Sequence, residues 1–311
     1  MRKTQRKRIA EVKVLDYHDV LLREQDVSLL EGPHWLNDQV VAFYFEYLSR
    51  EGLGGDGRGC VAPTPEPTPG CDAKSPSWAS APATTSLQQQ KQQPQQRTVG
   101  DVLLLPPATS FLLIHSPPEM AAELLAPLKP DRKGLVIFAV NDNPEVDLAA
   151  GGSHWTLLVY HRPSNTFRHY DSSPSHQTDG NGRSSGSTQA ARRLADAVGP
   201  ALTGAGGGAG AAAALPSLVE VRCMPRQTNC YDCGMYVLAV ARAVCQWWLR
   251  GPEVAREGAE GSTGGVTKVE AEWEVQERAM RAWLTPAHVD GLRFEILEII
   301  RAKAGAASVG A

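Results

Sequence analysis

The chain has 311 residues, among them 29 Gly, 22 Pro and 6 Cys, with a formal net charge of −3 at pH 7. This balance gives no general electrostatic attraction for nucleic acid, and no apolar run approaches the roughly 18 residues of a membrane span. We therefore expect neither as a partner. The first residues lack the apolar segment of a signal peptide and the cysteines are unevenly placed. We expect an intracellular protein, cytoplasmic or nuclear, with reduced thiols.

Glycine is concentrated in a few polar, low-complexity stretches. Twenty of the 29 glycines lie in the stretches 51–97, 172–188, 199–217 and 251–267. Such sequences bury too little apolar surface to offset their ordering entropy, so we interpret all four as disordered insertions. Their removal leaves roughly 190 residues, the size of one ordinary domain. We predict one interrupted domain over 11–303, preceded by a basic tail at 1–10 and followed by a disordered tail at 304–311. The basic tail suits either a solvated end or a nuclear-import arm.

Apolar spacing predicts the main elements in chain order. Asn37 precedes a helical pattern of apolar residues and suits its N-cap; the pattern is Val40, Val41, Phe43, Tyr44, Tyr47 and Leu48. Short β-branched or aromatic runs predict strands at 135–140, 155–160, 166–170 and 218–222. Helical spacing predicts helices at 189–198, 233–248, 271–283 and 291–302. Strands in the middle of the chain with helices around them predict an α+β fold.

A cysteine stands at the start of the predicted helix 233–248. In Pro-Arg-Gln-Thr-Asn-Cys-Tyr-Asp-Cys-Gly-Met-Tyr-Val-Leu, residues 225–238, a polar loop runs directly into this helix. Unpaired N–H groups and the helix dipole favour the thiolate of Cys233 there. Gly234 has no side chain to obstruct a substrate carbonyl. Taken alone, the pattern fits a catalytic cysteine and a small buried cysteine equally well.

A histidine and an aspartate stand at the ends of two predicted strands. His154 enters the strand 155–160, and Asp171 follows the strand 166–170. If these strands pair around the turn 161–165, Asp171 lies within reach of His154. It can then fix the ring tautomer and stabilise the imidazolium. A structural histidine and a strand-end turn residue are the alternatives.

A glutamine lies six residues before the cysteine. Acyl transfer from a thiolate needs hydrogen-bond donors aimed at the developing oxyanion. The amide of Gln227 and the backbone N–H of Cys233 would supply two, each worth roughly 3 kcal/mol by analogy with known donors. The alternative is an ordinary polar loop residue.

The order and separation of these motifs resembles the Ulp/sentrin-type cysteine proteases, which remove ubiquitin-like modifiers, and most closely their deneddylases. The segments that carry the resemblance are Leu22–Trp35 with the following Leu36, Asn37 and Asp38; Ala139–Trp155; and Tyr231–Val237. The resemblance implies a single papain-like, Ulp-type α+β domain with a central mixed sheet flanked by helices. It implies a triad of His154, Asp171 and Cys233, with Gln227 in the oxyanion hole. It also implies cleavage after a C-terminal Gly-Gly, in a precursor or at an isopeptide bond to lysine.

The resemblance also implies contacts with the modifier. Trp35 and Trp155 would clamp the diglycine, because two indole faces leave a slot that only residues without side chains can occupy. Asp38 would bind a basic residue of the modifier, and Asn141 would contact it from a closing loop, Asn141–Gly152. The alternatives are core packing for both tryptophans, a first-turn helix residue for Asp38 and an ordinary turn for Asn141.

The expected partner is the neddylation (Rub) modifier with its conjugates, and the resemblance alone suggests cullins among them. One alternative is the same chemistry on the SUMO modifier. The other is a catalytically silent binder of a ubiquitin-like protein. The chemistry needs no cofactor and no metal, and we expect a monomer.

Cys230 departs from the family pattern and forms a Cys-x-x-Cys with Cys233. A zinc site would need two further ligands, yet Cys245 lies roughly 18 Å up the predicted helix from Cys233. We hypothesise instead that peroxide converts Cys230 and Cys233 reversibly into a disulfide that silences the enzyme.

Overall fold

The structure, a computed structural model, describes residues 12–53, 97–147, 151–173, 185–204, 214–251 and 268–309. The strands are β1 Lys13–Tyr17, β2 Val20–Arg23, β3 Val102–Leu105, β4 Leu135–Asn141, β5 Trp155–His161, β6 Thr166–Tyr170 and β7 Ser217–Glu220. The α-helices are α1 Glu24–Ser28, α2 Asp38–Tyr47, α3 Pro107–Ile114, α4 Pro118–Leu125, α5 Gly186–Thr203, α6 Cys233–Arg250, α7 Lys268–Trp283 and α8 Pro286–Val309. The predicted basic tail and most of the four predicted insertions lie outside the described residues. In the described part, no helix has the length and apolar character needed to cross a membrane.

Five strands form the central sheet, in the order β3-β4-β5-β6-β7. The pairs β3–β4 and β6–β7 are parallel, whereas β4–β5 and β5–β6 are antiparallel. Strands β1 and β2 form a separate antiparallel pair. The predicted α+β class with a central mixed sheet is confirmed.

The hairpin of β5 and β6 brings the functional strand ends together. Leu157 pairs with Tyr170, and the turn closes at Asn165 in the left-handed conformation, φ 48°, which asparagine tolerates. On the other side of β5, Asn141 pairs with Trp155. The end of β4, the start of β5 and the end of β6 therefore lie side by side.

The sheet has an apolar core on each face. Successive side chains of a strand point to opposite faces, so alternate residues pack into different cores. The face that carries Ile137 packs with β1, β2, α2, α6 and α8. The face that carries Phe138 packs with α3, α4 and α5. Helix α6 lies against β5, so its N-terminus reaches the strand ends.

Local sequence signals account for several of the helix starts. Asn37 caps α2 as predicted, with Oδ1 accepting from the Val40 backbone N–H at 3.1 Å. Helices α3 and α4 were not predicted, although each begins at the second proline of a Pro-Pro pair, a residue favoured at the first helical position. Helix α5 takes in residues of the predicted insertions 172–188 and 199–217. Helix α8 continues to Val309, within the predicted disordered tail.

Candidate active site

The nucleophile candidate begins helix α6, as its sequence predicts. Cys233 is buried and lines a pocket of about 610 Å³. The loop before it is held by one side chain, because Asn229 Oδ1 accepts the backbone N–H groups of Tyr231 at 3.1 Å and Asp232 at 3.0 Å. The position of the sulfur therefore follows from a fixed turn and the first turn of a buried helix.

Gly234 allows close packing against a distant segment. A Cβ at this position would lie 3.0 Å from the Cβ of Leu36, inside ordinary van der Waals contact. That Gly234 leaves the way open for a substrate carbonyl stays a prediction. Its missing side chain lets α6 approach Leu36 and the segment that carries Trp35.

His154 lies between a carboxylate and the thiol. Its Nε2 is 2.5 Å from Asp171 Oδ1, and the ring also hydrogen-bonds the Cys233 side chain. Burial disfavours a charged ring, but the hydrogen bonds and charges of Asp171 and Cys233 outweigh it and raise the pKa of His154 to about 10. The ring is then protonated at neutral pH, and an imidazolium beside sulfur favours the thiolate.

Donors from at least three residues of the described part hold the Asp171 carboxylate. Besides His154, the backbone N–H of Ser173 donates to Oδ1 at 2.9 Å, and Ser187 Oγ donates to Oδ2 at 2.8 Å. Asp171 is buried, so these bonds replace the water it loses. Ser187 lies in the predicted insertion 172–188 and was missed. The signal that could have found this turn of α5 is Ser185, whose Oγ accepts the Thr188 backbone N–H at 3.2 Å as an N-cap.

Gln227 is buried in the loop before the nucleophile with a fixed amide orientation. Its Oε1 accepts from Ser172 Oγ at 2.7 Å, and its Nε2 donates to the Asn229 carbonyl at 2.6 Å. Its backbone N–H also donates to the Ser172 carbonyl at 2.9 Å. An amide nitrogen carries two hydrogens, so the second is the one that could meet an oxyanion. The oxyanion role of Gln227 stays a prediction.

The two predicted clamp residues both line the pocket, but they differ in exposure. Trp155 is 8% exposed, and its Nε1 donates to the Leu36 carbonyl at 2.9 Å. Trp35 is 48% exposed. Asp38 lines the pocket from the exposed start of α2. The pocket is therefore lined by two indoles: that of Trp155 is buried and held by a hydrogen bond, and that of Trp35 is half-exposed.

Asp142 joins the two ends of the loop Asn141–Gly152, which precedes His154, and we call this junction the loop neck. The sequence did not reveal this role of Asp142. Asp142 Oδ1 accepts the backbone N–H groups of Ser153 at 2.6 Å and His154 at 2.9 Å. Gly152 has φ +85°, and a Cβ there would lie 1.8 Å from Asn141 Oδ1. Asn141 lines the pocket at this neck. Residues 148–150 of the predicted closing loop lie outside the described residues.

Four cysteines of the described part have free thiols, and they differ in burial. Cys230 is exposed, whereas Cys233 and Cys245 are buried and Cys223 is intermediate. Within the same ranges, no group of three or more His, Cys, Asp or Glu side chains is arranged to hold a metal ion.

The sequence profile of the Ulp1 protease family, C-terminal catalytic domain, matches residues 145–246. NEDD8-specific protease 1 of Arabidopsis thaliana is 30% identical over 290 residues, which cover 93% of this chain and 92% of that protein. The chain belongs to the Ulp1 protease family. A second relative, sentrin-specific protease 8 of Homo sapiens, is 33% identical over 237 residues, covering 76% of this chain and 83% of that protein.

Solved structures show the same fold. A de-sumoylating protease superposes with a TM-score of 0.53 at 10% identity, covering 94% of this chain and 92% of that chain. The SUMO protease Ulp1, with its catalytic cysteine oxidised to a sulfenic acid, gives a TM-score of 0.50 at 15% identity, covering 97% and 94%. The predicted Ulp-type fold is confirmed, and the chain is a cysteine-type peptidase of the Ulp1 family.

Proposed function

We propose that this Ulp1-family peptidase cleaves after the C-terminal Gly-Gly of the modifier NEDD8, both in its precursor and in its isopeptide conjugates. The observation that carries the proposal is the His154 ring, held between the Asp171 carboxylate and the Cys233 thiol on the pocket with two indole walls. The choice of modifier is supported by the Arabidopsis thaliana relative named NEDD8-specific protease 1.

The reaction follows from the protonation of the ring. His154 already holds its proton as an imidazolium, and the Cys233 thiolate beside it attacks the terminal glycine carbonyl carbon, whose π electrons move to oxygen. The oxyanion meets the Cys233 backbone N–H and the Nε2 of Gln227. When the intermediate collapses, the C–N bond breaks and the amine takes its proton from His154. Water then gives a proton to His154 as its oxygen attacks the thioester, and the C–S bond breaks to release the thiolate and a carboxylic acid, which ionises in solution.

The pocket selects its substrate by width. A chain between the half-exposed Trp35 and the buried Trp155 must pass two indole faces, which favours two consecutive glycines. Asp38 presents a carboxylate at the pocket wall for a basic residue of the modifier, and Asn141 offers an amide at the loop neck. We extend the proposal to cullin conjugates as targets, and to action in the cytoplasm or nucleus.

Modifiers that carry a C-terminal glycyl vinyl sulfone test the proposal. Rapid adduct formation with the NEDD8 form, mapped to Cys233 by mass spectrometry, supports it. Reaction with the SUMO form alone assigns the other modifier, and reaction with neither form indicates a silent binder. Cys233→Ala must abolish turnover while binding remains measurable. The matched control is Cys230→Ala, which removes an exposed thiol three residues away and must keep the adduct.

A further inference from the structure

One buried guanidinium joins the last helix to the two segments that wall the pocket. Arg293 of α8 is 7% exposed, and its Nη2 donates to Asp232 Oδ1 at 2.6 Å. The same nitrogen donates to the His34 carbonyl at 3.3 Å, and Nη1 donates to the Leu29 carbonyl at 2.7 Å. Arg293 thus contacts both the residue before the nucleophile and the segment before Trp35.

On the nucleophile side, the bonds continue to the proposed oxyanion donor. The second oxygen of Asp232, Oδ2, accepts from Asn229 Nδ2 at 2.7 Å. The carbonyl of Asn229 in turn accepts from Gln227 Nε2 at 2.6 Å. Arg293, Asp232, Asn229 and Gln227 therefore form a continuous chain of hydrogen bonds.

On the opposite wall, the backbone is held on each side of Trp35. The carbonyl of His34 accepts from Arg293, and the carbonyl of Leu36 accepts from the indole N–H of Trp155 at 2.9 Å. The indole of Trp35 itself is half-exposed. The position of the Trp35 wall is therefore set by the hydrogen bonds to the carbonyls of His34 and Leu36.

We propose that Arg293 is a positioning residue that sets the spacing between the Trp35 wall and the loop carrying Gln227 and Cys233. It touches no reacting atom. The planar guanidinium of Arg293 donates to three acceptors on two segments. The single ammonium group of a lysine does not reproduce this geometry. The inference rests on the proposed function, because the spacing matters for a substrate that enters as an extended diglycine.

The test compares a substrate that uses the slot with a reagent that does not. kcat/KM is measured on NEDD8 with a C-terminal fluorogenic amide, and Cys233 alkylation is measured with iodoacetamide. Arg293→Lys keeps the positive charge beside Asp232 but loses the guanidinium that donates to several acceptors at once. A misplaced wall lowers kcat/KM by about 100-fold, while alkylation stays within about threefold of wild type. Arg301→Gln is the matched control, since Arg301 lies on α8 but is exposed and pairs with Glu31 and Glu298; it must leave both rates unchanged.

A second variant separates positioning from simple charge neutralisation. Arg293→Gln alone leaves the buried Asp232 carboxylate without its cation, which destabilises the fold. Asp232→Asn with Arg293→Gln removes both charges, so thermal stability returns, but kcat/KM stays low because the His34 and Leu29 carbonyls are still released. Full activity in the double variant, or unchanged kcat/KM in Arg293→Lys, overturns the inference. A wild-type protein without NEDD8 turnover refutes the proposed function instead.

Discussion

Replacement of Asp171 by asparagine isolates the charge that supports His154. The change keeps the size of the side chain but removes the negative charge 2.5 Å from Nε2. In the wild type the pKa of His154 rises from 6.5 to about 10, which corresponds to about 5 kcal/mol in favour of the charged ring. Cys233 shares this support and the ring is 16% exposed, so we assign roughly half, about 2.5 kcal/mol, to Asp171.

If the transition state keeps the imidazolium charge, this loss lowers kcat/KM by about 70-fold. The measurement is kcat/KM on a fluorogenic NEDD8 amide together with the iodoacetamide rate between pH 5 and pH 10. The variant must also lose kcat/KM at a lower pH than the wild type on the alkaline side, because its ring gives up earlier the proton that the leaving amine needs. Asp131→Asn, an exposed change before the opposite end of β4, is the control and leaves both profiles unchanged.

The raised pKa of His154 also makes the free energy of unfolding depend on pH. Because the folded pKa lies above 6.5, the charged ring stabilises the fold fully below pH 6.5, and this stabilisation is lost as the pH rises toward 10. The wild type must therefore lose more unfolding free energy than Asp171→Asn over that interval. A variant with wild-type kcat/KM and an unchanged alkaline limb would refute the assignment of Asp171.

Three further changes probe other features of the molecule. Gly152→Ala places a Cβ 1.8 Å from Asn141 Oδ1 at a positive φ, so it must reshape the loop neck and lower kcat/KM at least about tenfold; retained activity argues against a fixed neck. Burial, with Arg97 and Arg168 nearby, lowers the pKa of His161 to about 3. Stability is then lost as the pH falls below 6.5, by about 2 kcal/mol at pH 5, and urea unfolding of His161→Gln should show a smaller loss. Cys230→Ser should lose activity irreversibly in hydrogen peroxide, whereas the wild type recovers with dithiothreitol as a Cys230–Cys233 disulfide is reduced; equal recovery of both contradicts that bridge.

The parts of the site that could be predicted are those specified by short stretches of sequence. A hairpin of two strands places their outer ends side by side, so the approach of His154 and Asp171 follows from local pattern. A polar loop that runs into an apolar helix likewise places Cys233 at a helix start. Asn37 caps α2 for the same reason, since its partner is the Val40 backbone three residues away.

The parts that could not be predicted depend on contacts between distant segments. Ser187 reaches Asp171 only because α5 packs on the second face of the sheet, and no local signal connects the two residues. Arg293 meets Asp232 and the segment before Trp35 only after α8 has packed. The packing of Gly234 against Leu36 could not be predicted, because Leu36 is remote in sequence and adjacent only in space.

The placement of Arg293 on the last helix has a consequence for the order of events during synthesis. A chain leaving the ribosome presents His154, Asp171 and Cys233 well before α8 emerges, since α8 begins at Pro286. Until α8 docks, the carboxylate beside the nucleophile has no cation and the wall that carries Trp35 is not held from that side. The reactive side chains therefore emerge before the helix that carries Arg293, so any activity that depends on the proposed positioning by Arg293 has to follow the synthesis and docking of α8.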